Sequence, residues 1–155
     1  MTARRELSAG VVLVRRMRAA WWFAAIRPRG KPAGTWVLPK GLLGNGERPI
    51  DAARREGEEE TGVRVRMGSK LGDVRYVYTW EGQRVFKVVS FYLAHAAGGR
   101  IGVLPPGMEI EVAEARWLPL ADAPHRLAYT GERDMAAAAL EALSSVPGSA
   151  QRDPL

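Results

Sequence analysis

The sequence predicts an α/β fold, a mixed sheet held between helices, and three observations carry that expectation. Apolar runs of extended character lie at 6–14 (ELSAGVVLV), 21–26 (WWFAAI) and 85–94 (VFKVVSFYLA). A segment bounded by Pro49 and Gly62 has helical punctuation at both ends. An alanine-rich stretch after Thr130 has the composition of a closing helix. The 155 residues suit one domain, assigned to 1–144, with 145–155 as a flexible tail.

Taken in order, the first two apolar runs pair through a turn at 15–19. Residues 27–35 (RPRGKPAGT) form a Pro/Gly loop, and Trp36 to Leu38 a short strand stopped by Pro39. The first helix covers 49–61. Residues 63–67 and 74–80 alternate as strands, Glu81-Gly82-Gln83 turns, and 85–94 reads as a strand covered on both faces. Residues 96–107 are loop-like, 111–118 form another strand, and 119–123 a short helical turn. Thr130 caps a last helix over 131–143, with Met135, Leu140 and Leu143 facing inward.

Hydrophobic residues make up 46% and charged residues 26%, as in ordinary globular proteins. No apolar run approaches the roughly 20 residues of a membrane span, and no signal-peptide pattern precedes the first strand, so a cytoplasmic protein without a membrane partner is expected. Cysteine is absent, which excludes disulfides and thiol catalysis. The net charge of +6 suits anionic ligands. The arginines are scattered rather than blocked, so no stable nucleic-acid partner is expected, and the chain is read as a monomer or homodimer.

The stretch REGEEETG, 55–62, is poor helix design. Glutamates one turn apart repel, anions near a helix C-terminus oppose its dipole, and a mid-helix glycine costs about 1 kcal/mol against alanine. Advancing roughly 100° per residue puts Ile50, Ala53 and Gly57 on the packed stripe. Glu56, Glu59 and Glu60 gather beside that stripe, and Glu58 points to solvent. Three carboxylates so placed need a positive partner, either Arg54 and Arg55 or a hard divalent cation with oxygen ligands.

Gly41, Glu47, Arg55-Glu56, Glu59-Glu60, Gly62 and Val63 fall at the spacing G-x5-E-x7-R-E-U-x-E-E-x-G-U, where U is a bulky aliphatic residue. This resembles the Nudix box, and the preceding Trp-Val-Leu-Pro-Lys-Gly and the following β region extend the likeness over most of the chain. One position departs: Gly57 stands where an aliphatic residue is expected. Either the backbone approaches closely there, or a bulky neighbour such as Trp21 or Trp22 fills the gap; the second is the expectation.

The resemblance implies an α/β/α sandwich of the Nudix fold that hydrolyses nucleoside diphosphate derivatives with Mg2+ or Mn2+. It implies that Glu56, Glu59 and Glu60 hold the metal, that the backbone carbonyl of Lys40 or Gly41 completes the shell, and that Arg55 orients the carboxylates. For the general base it leaves two candidates, a box glutamate such as Glu56 or Glu59, or a glutamate from the later loop; Glu111, six residues before Trp117, sits where the latter occurs, with Glu109 and Glu114 as neighbours. Lys40, Arg27 and Arg29, with Lys31, are candidates for phosphate contacts. Tyr76, Tyr78, Trp80 and Tyr129 are candidates for stacking on a base. His95 and His125 are read as structural. The Leu-Pro-Lys-Gly segment and the Tyr-x-Tyr strand look most like the branch acting on dinucleoside polyphosphates such as diadenosine tetraphosphate. Nucleoside triphosphates and ADP-ribose are the alternatives, an RNA end is a further one that the positive charge permits without singling out, and a nucleotide sensor without catalysis is the rival of another class.

Overall fold

A computed structural model describes residues 3–145; the predicted tail beyond Ser145 lies outside them. Six strands form one mixed sheet: β1 (Arg4–Met17), β2 (Ala20–Pro28), β3 (Lys40–Leu42), β4 (Val63–Trp80), β5 (Gln83–Gly99) and β6 (Val112–Pro119). Three helices join them: α1 (Pro49–Thr61), α2 (Ala123–Arg126) and α3 (Thr130–Ser145). The order is β4-β5-β1-β2-β6, with β3 pairing β1. The β1–β5 pair is parallel and the other strand pairs are antiparallel.

Why β1 reads as a continuous apolar run is clear from its two faces. Ala9, Val11 and Leu13 pack with Ala52 and Ala53 of α1. Val12 and Val14 point the other way, into a core closed by Ala136, Ala139 and Leu143 of α3. A strand covered by helices on both sides cannot alternate with polar residues. The sandwich is therefore α1, sheet, then α2 with α3.

Several predicted elements shift. Trp36 to Leu38 is not a strand but a crossing segment: Val37 bridges Ile26 of β2, and Trp36 bridges Leu127. After Pro39, which has no N–H to offer a ladder, the chain moves to β1 as β3. The two alternating stretches 63–67 and 74–80 are one strand, because register shifts around Lys70 let the β5 ladder resume after the glycine-flanked interruption. Residues 96–99 extend β5 instead of opening a loop. On α3 the buried face is Glu132, Ala136, Ala139 and Leu143; Leu140 is exposed and Met135 is half-buried against the core. Thr130 accepts the Arg133 guanidinium at 2.9 Å through its hydroxyl.

Helix α1 has the predicted bounds and its buried face includes Ala52, Ala53, Gly57 and Thr61; Ile50 is only half-buried. At Gly57 the expected tryptophan is not the filler. A Cβ there would lie 3.0 Å from Val11 Cγ2 and 3.5 Å from Val65 Cγ2. The β-branched Val11 of β1 occupies the space that an aliphatic side chain on the helix would need, while Trp21 packs on the opposite core beside His95. Gly57→Val is thus expected to overpack and lower stability by about 1–3 kcal/mol despite its better helix propensity. Thermal unfolding checks this; a raised Tm would mean the helix and β1 separate without cost.

Candidate metal and nucleotide site

The site is built where α1 runs beneath β3. Gly62 ends α1 with φ 80°, its N–H on the Glu58 carbonyl, a left-handed cap suited to glycine. The short β3 strand lies over the helix so closely that a Cβ on Gly41 would fall on the Glu56 carboxylate. Glycine at 41 is therefore required by close approach, and it sets a backbone carbonyl beside the acidic helix.

Arg55 organises the cluster directly. Its Nε and Nη2 donate to the two Glu47 oxygens, each at 2.9 Å. Nη1 donates to Glu56 at 2.8 Å and to Glu59 at 3.1 Å, and Nη2 reaches the Leu42 carbonyl at 3.1 Å. Glu47 also accepts the Gly44 N–H at 2.8 Å, which folds the loop before α1. The Arg55 guanidinium holds the Glu47 carboxyl at about 2, well below its ordinary 4.5. The same contacts raise Arg55 still further above its ordinary value.

Glu60 is the opposite case. Burial pushes its carboxyl from 4.5 up to about 8, and the negative charges of Glu56 and Glu111 add to the rise against the opposing Lys40 N–H and charge. The Lys40 N–H donates to Glu60 Oε1 at 3.0 Å. Burial also raises Glu56, Arg55 opposing and Glu59 and Glu111 reinforcing. Two half-buried carboxylates are thus held where ionisation is disfavoured by what surrounds them. Among the described residues, no three His, Asp or Glu side chains already converge into a metal cage. Arg55 Nη1 instead bridges Glu56 and Glu59, a positive charge between two candidate ligands. The donor chemistry, hard carboxylate oxygens beside the β3 backbone, suits Mg2+ or Mn2+.

Glu58 departs from expectation. It is half-buried, and its Oε2 accepts the Val65 N–H at 3.0 Å, tying the end of α1 to β4 instead of pointing freely to solvent. Of the three later glutamates, Glu111 is the one whose charge reaches Glu56 and Glu60. Glu109 folds back on the Gly107 N–H, and Glu114 pairs with Arg27 and Arg116.

The basic candidates sort by partner. Arg27 donates to Glu114 at 2.7 Å and to the Lys31 carbonyl, so its charge is already countered. Arg29 donates twice to the Glu109 carbonyl, at 2.7 and 3.1 Å, and its N–H donates to the Glu111 carbonyl. It tethers the loop that carries Glu111, and a neutral carbonyl acceptor does not cancel its charge. Lys40 lines a cleft of about 610 Å³ with Tyr76, Tyr78, Tyr129, Arg75 and Lys87. Its ammonium is paired with Glu132 at 2.7 Å. Tyr78 donates to Glu6 at 2.8 Å from its hydroxyl. Trp80 is exposed at the hairpin tip and is not part of the cleft wall.

Arg75, Lys87 and Glu132 were not legible as site residues. The first two sit on strands whose alternation looks like ordinary surface charge. Glu132 looks like a first-turn helix acid, yet it is fully buried; its signal is its position one turn before Ala136 on the buried face of the helix.

The NUDIX domain profile matches residues 4–139. The chain belongs to the Nudix family. It is 39% identical over 111 residues to the putative mutator protein MutT4 of Mycobacterium tuberculosis (strain CDC 1551 / Oshkosh), a match covering 72% of this chain and 43% of that protein. It is 36% identical over 98 residues to the 8-oxo-(d)GTP phosphatase of Mycolicibacterium smegmatis, covering 63% and 28%. The chain therefore spans less than half the length of these two curated relatives. A C. elegans Ap4A hydrolase, solved as a binary complex, superposes with TM-score 0.70 at 22% identity over 90% of this chain and 98% of that one, a likeness of fold. As a Nudix domain, the chain places its box on β3, α1 and the start of β4. No helix among the described residues is long and apolar enough to cross a membrane.

Proposed function

We propose that this Nudix domain hydrolyses a pyrophosphate linkage in a nucleoside diphosphate derivative, with Mg2+ or Mn2+ held by Glu56, Glu59, Glu60 and a β3 carbonyl at Lys40 or Gly41. The observation that carries the reading is geometric: Arg55 Nη1 bridges Glu56 and Glu59, Glu60 takes the Lys40 N–H one turn along from Glu56, and the loss of solvent there pushes both the Glu56 and the Glu60 carboxyl up, Glu60 to about 8. Such a pair is costly for stability alone and suits a site completed by a divalent cation. When bound, the metal would polarise the pyrophosphate and lower the pKa of water. Arg55 keeps Glu56 and Glu59 aligned. Glu111 takes the proton of the attacking water as the phosphorus–oxygen bond of the leaving phosphate breaks.

Tyr76, Tyr78 and Tyr129 form the wall for a base, and Arg75 and Lys87 supply positive charge beside it. The Leu-Pro-Lys-Gly segment and the Tyr76-x-Tyr78 strand favour a dinucleoside polyphosphate such as diadenosine tetraphosphate as substrate. The names of the sequence relatives favour a nucleoside triphosphate instead. Incubation with diadenosine tetraphosphate, dGTP, 8-oxo-dGTP, ATP and ADP-ribose, each with Mg2+ or Mn2+, separates these by product identity. Metal-dependent cleavage of one of them supports the proposal. No turnover, with tight binding of one, would make the domain a nucleotide sensor.

Glu111→Gln is expected to lower kcat by about 10²–10⁴-fold, the scale of a positioned general base. KM should stay within about threefold, because an exposed loop carboxylate adds little to ground-state binding. Steady-state kinetics decide, and an unchanged kcat removes Glu111 from the reaction.

A further inference from the structure

Glu132 is a charged residue with no exposure at all, and it sits far from the box in sequence. Its carboxylate meets the segment between β2 and β3 at two points. Oε1 accepts the Leu38 N–H at 2.7 Å, and Oε2 pairs with the Lys40 ammonium at 2.7 Å. Those two grips flank Pro39, whose carbonyl accepts the Val11 N–H at 3.1 Å. The peptide joining Pro39 to Lys40 is thus held on both sides, and its N–H is the one that donates to Glu60. The first turn of α3 adds a favourable field for the buried carboxylate. The chain docks here a third time, through the Ala128 N–H on the Trp36 carbonyl.

The geometry points to Glu132 as a positioning residue for the carboxylate site: its clasp on Leu38 and Lys40 fixes the Lys40 N–H that orients Glu60. This rests on the reading that Glu60 holds metal. A buried ion pair is seldom a net source of stability, since desolvation offsets attraction. Its placement here serves alignment: α3 follows directly on Tyr129 of the cleft wall, α1 carries the carboxylates, and the clasp runs between them. Lys40 is then committed to Glu132 by its side chain and to Glu60 by its backbone. The expected phosphate contact of Lys40 is secondary to that role.

The test is Mn2+ binding, followed by electron paramagnetic resonance without substrate, with kcat and KM in parallel. Glu132→Gln keeps an acceptor for the Leu38 N–H and loses the partner of Lys40. Mn2+ affinity is expected to fall about 10–100-fold, the scale for residues that orient ligands. The kcat should fall with it, while KM stays within about twofold. Lys40→Met should lose as much, and the double variant no more than either, because both break one clasp. If Glu132→Gln leaves an unpaired ammonium that prevents folding, the double variant carries neither charge and reports alone. Unchanged Mn2+ affinity in a folded variant overturns the proposal. So does a raised KM with unchanged kcat, which assigns Lys40 to substrate phosphate. Absence of Mn2+ binding by the unaltered chain would remove the metal site itself, and the clasp's role with it.

Discussion

Replacing Glu60 with Gln is expected to lower metal-dependent kcat by about 10³-fold or more while the fold persists. A bound metal supplies several kcal/mol of transition-state stabilisation, and each 1.36 kcal/mol is about tenfold in rate. Gln keeps the oxygen that accepts the Lys40 N–H, now at 3.0 Å from Glu60, so the contact between α1 and β3 survives. It cannot supply an anionic ligand. Circular dichroism and thermal unfolding establish the fold, and product formation establishes the loss. Full activity in Glu60→Gln would refute the assignment of the site.

A second large effect is in stability against pH without metal. Burial holds the Glu60 carboxyl at about 8 in the folded chain, against 4.5 when exposed. Between those values the folded state binds more protons than the unfolded state, so stability falls as pH rises. The favourable contribution is complete below 4.5 and lost by passage through about 8. Glu56, also raised by burial, acts in the same direction. Several groups run against it, Glu47 and His95 among them. Glu47, lowered to about 2 by Arg55, contributes above 4.5 and is lost only in strong acid. His95, lowered from 6.5 by burial, gains stability as pH rises through the unfolded value.

The comparison of wild type with Glu60→Gln therefore isolates the effect. A shift of this size is on the order of a few kcal/mol. At about 2–4 °C per kcal/mol for a chain of this length, wild type should lose roughly 5–10 °C of Tm relative to the variant between pH 5 and 8.5. Saturating Mg2+ should restore most of the loss at pH 8.5 and do less at pH 5, where protons must be displaced. Parallel curves for the two proteins would mean that Glu60 ionises freely.

The fold and the bounds of the acidic helix were legible because their signals are local. Alternation, a Pro/Gly-bounded helix and the angular grouping of Glu56, Glu59 and Glu60 all lie within one turn or one strand. Contacts between distant segments were not legible. Val11, not a tryptophan, fills the space at Gly57, since the register of β1 over α1 decides which side chain arrives there. Trp36 to Leu38 has the composition of a strand, yet the chain changes partners across Pro39. Arg27 and Arg29 look like phosphate ligands in a loop; the pairing of β2 with β6 brings Arg27 to the Glu114 carboxylate, while Arg29 holds the Glu109 carbonyl. Glu132 required knowledge that α3 closes over the β3 segment. Glu111 was placed by resemblance, and the charge it exerts on Glu56 and Glu60 comes from the loop that Arg29 tethers.

The measurement that tests the central claim most directly is a Mn2+ titration at pH 8 of wild type and Glu60→Gln, followed by electron paramagnetic resonance. The account predicts saturable binding by wild type and at least a tenfold loss of affinity in the variant. Equal affinity in the two proteins would contradict it.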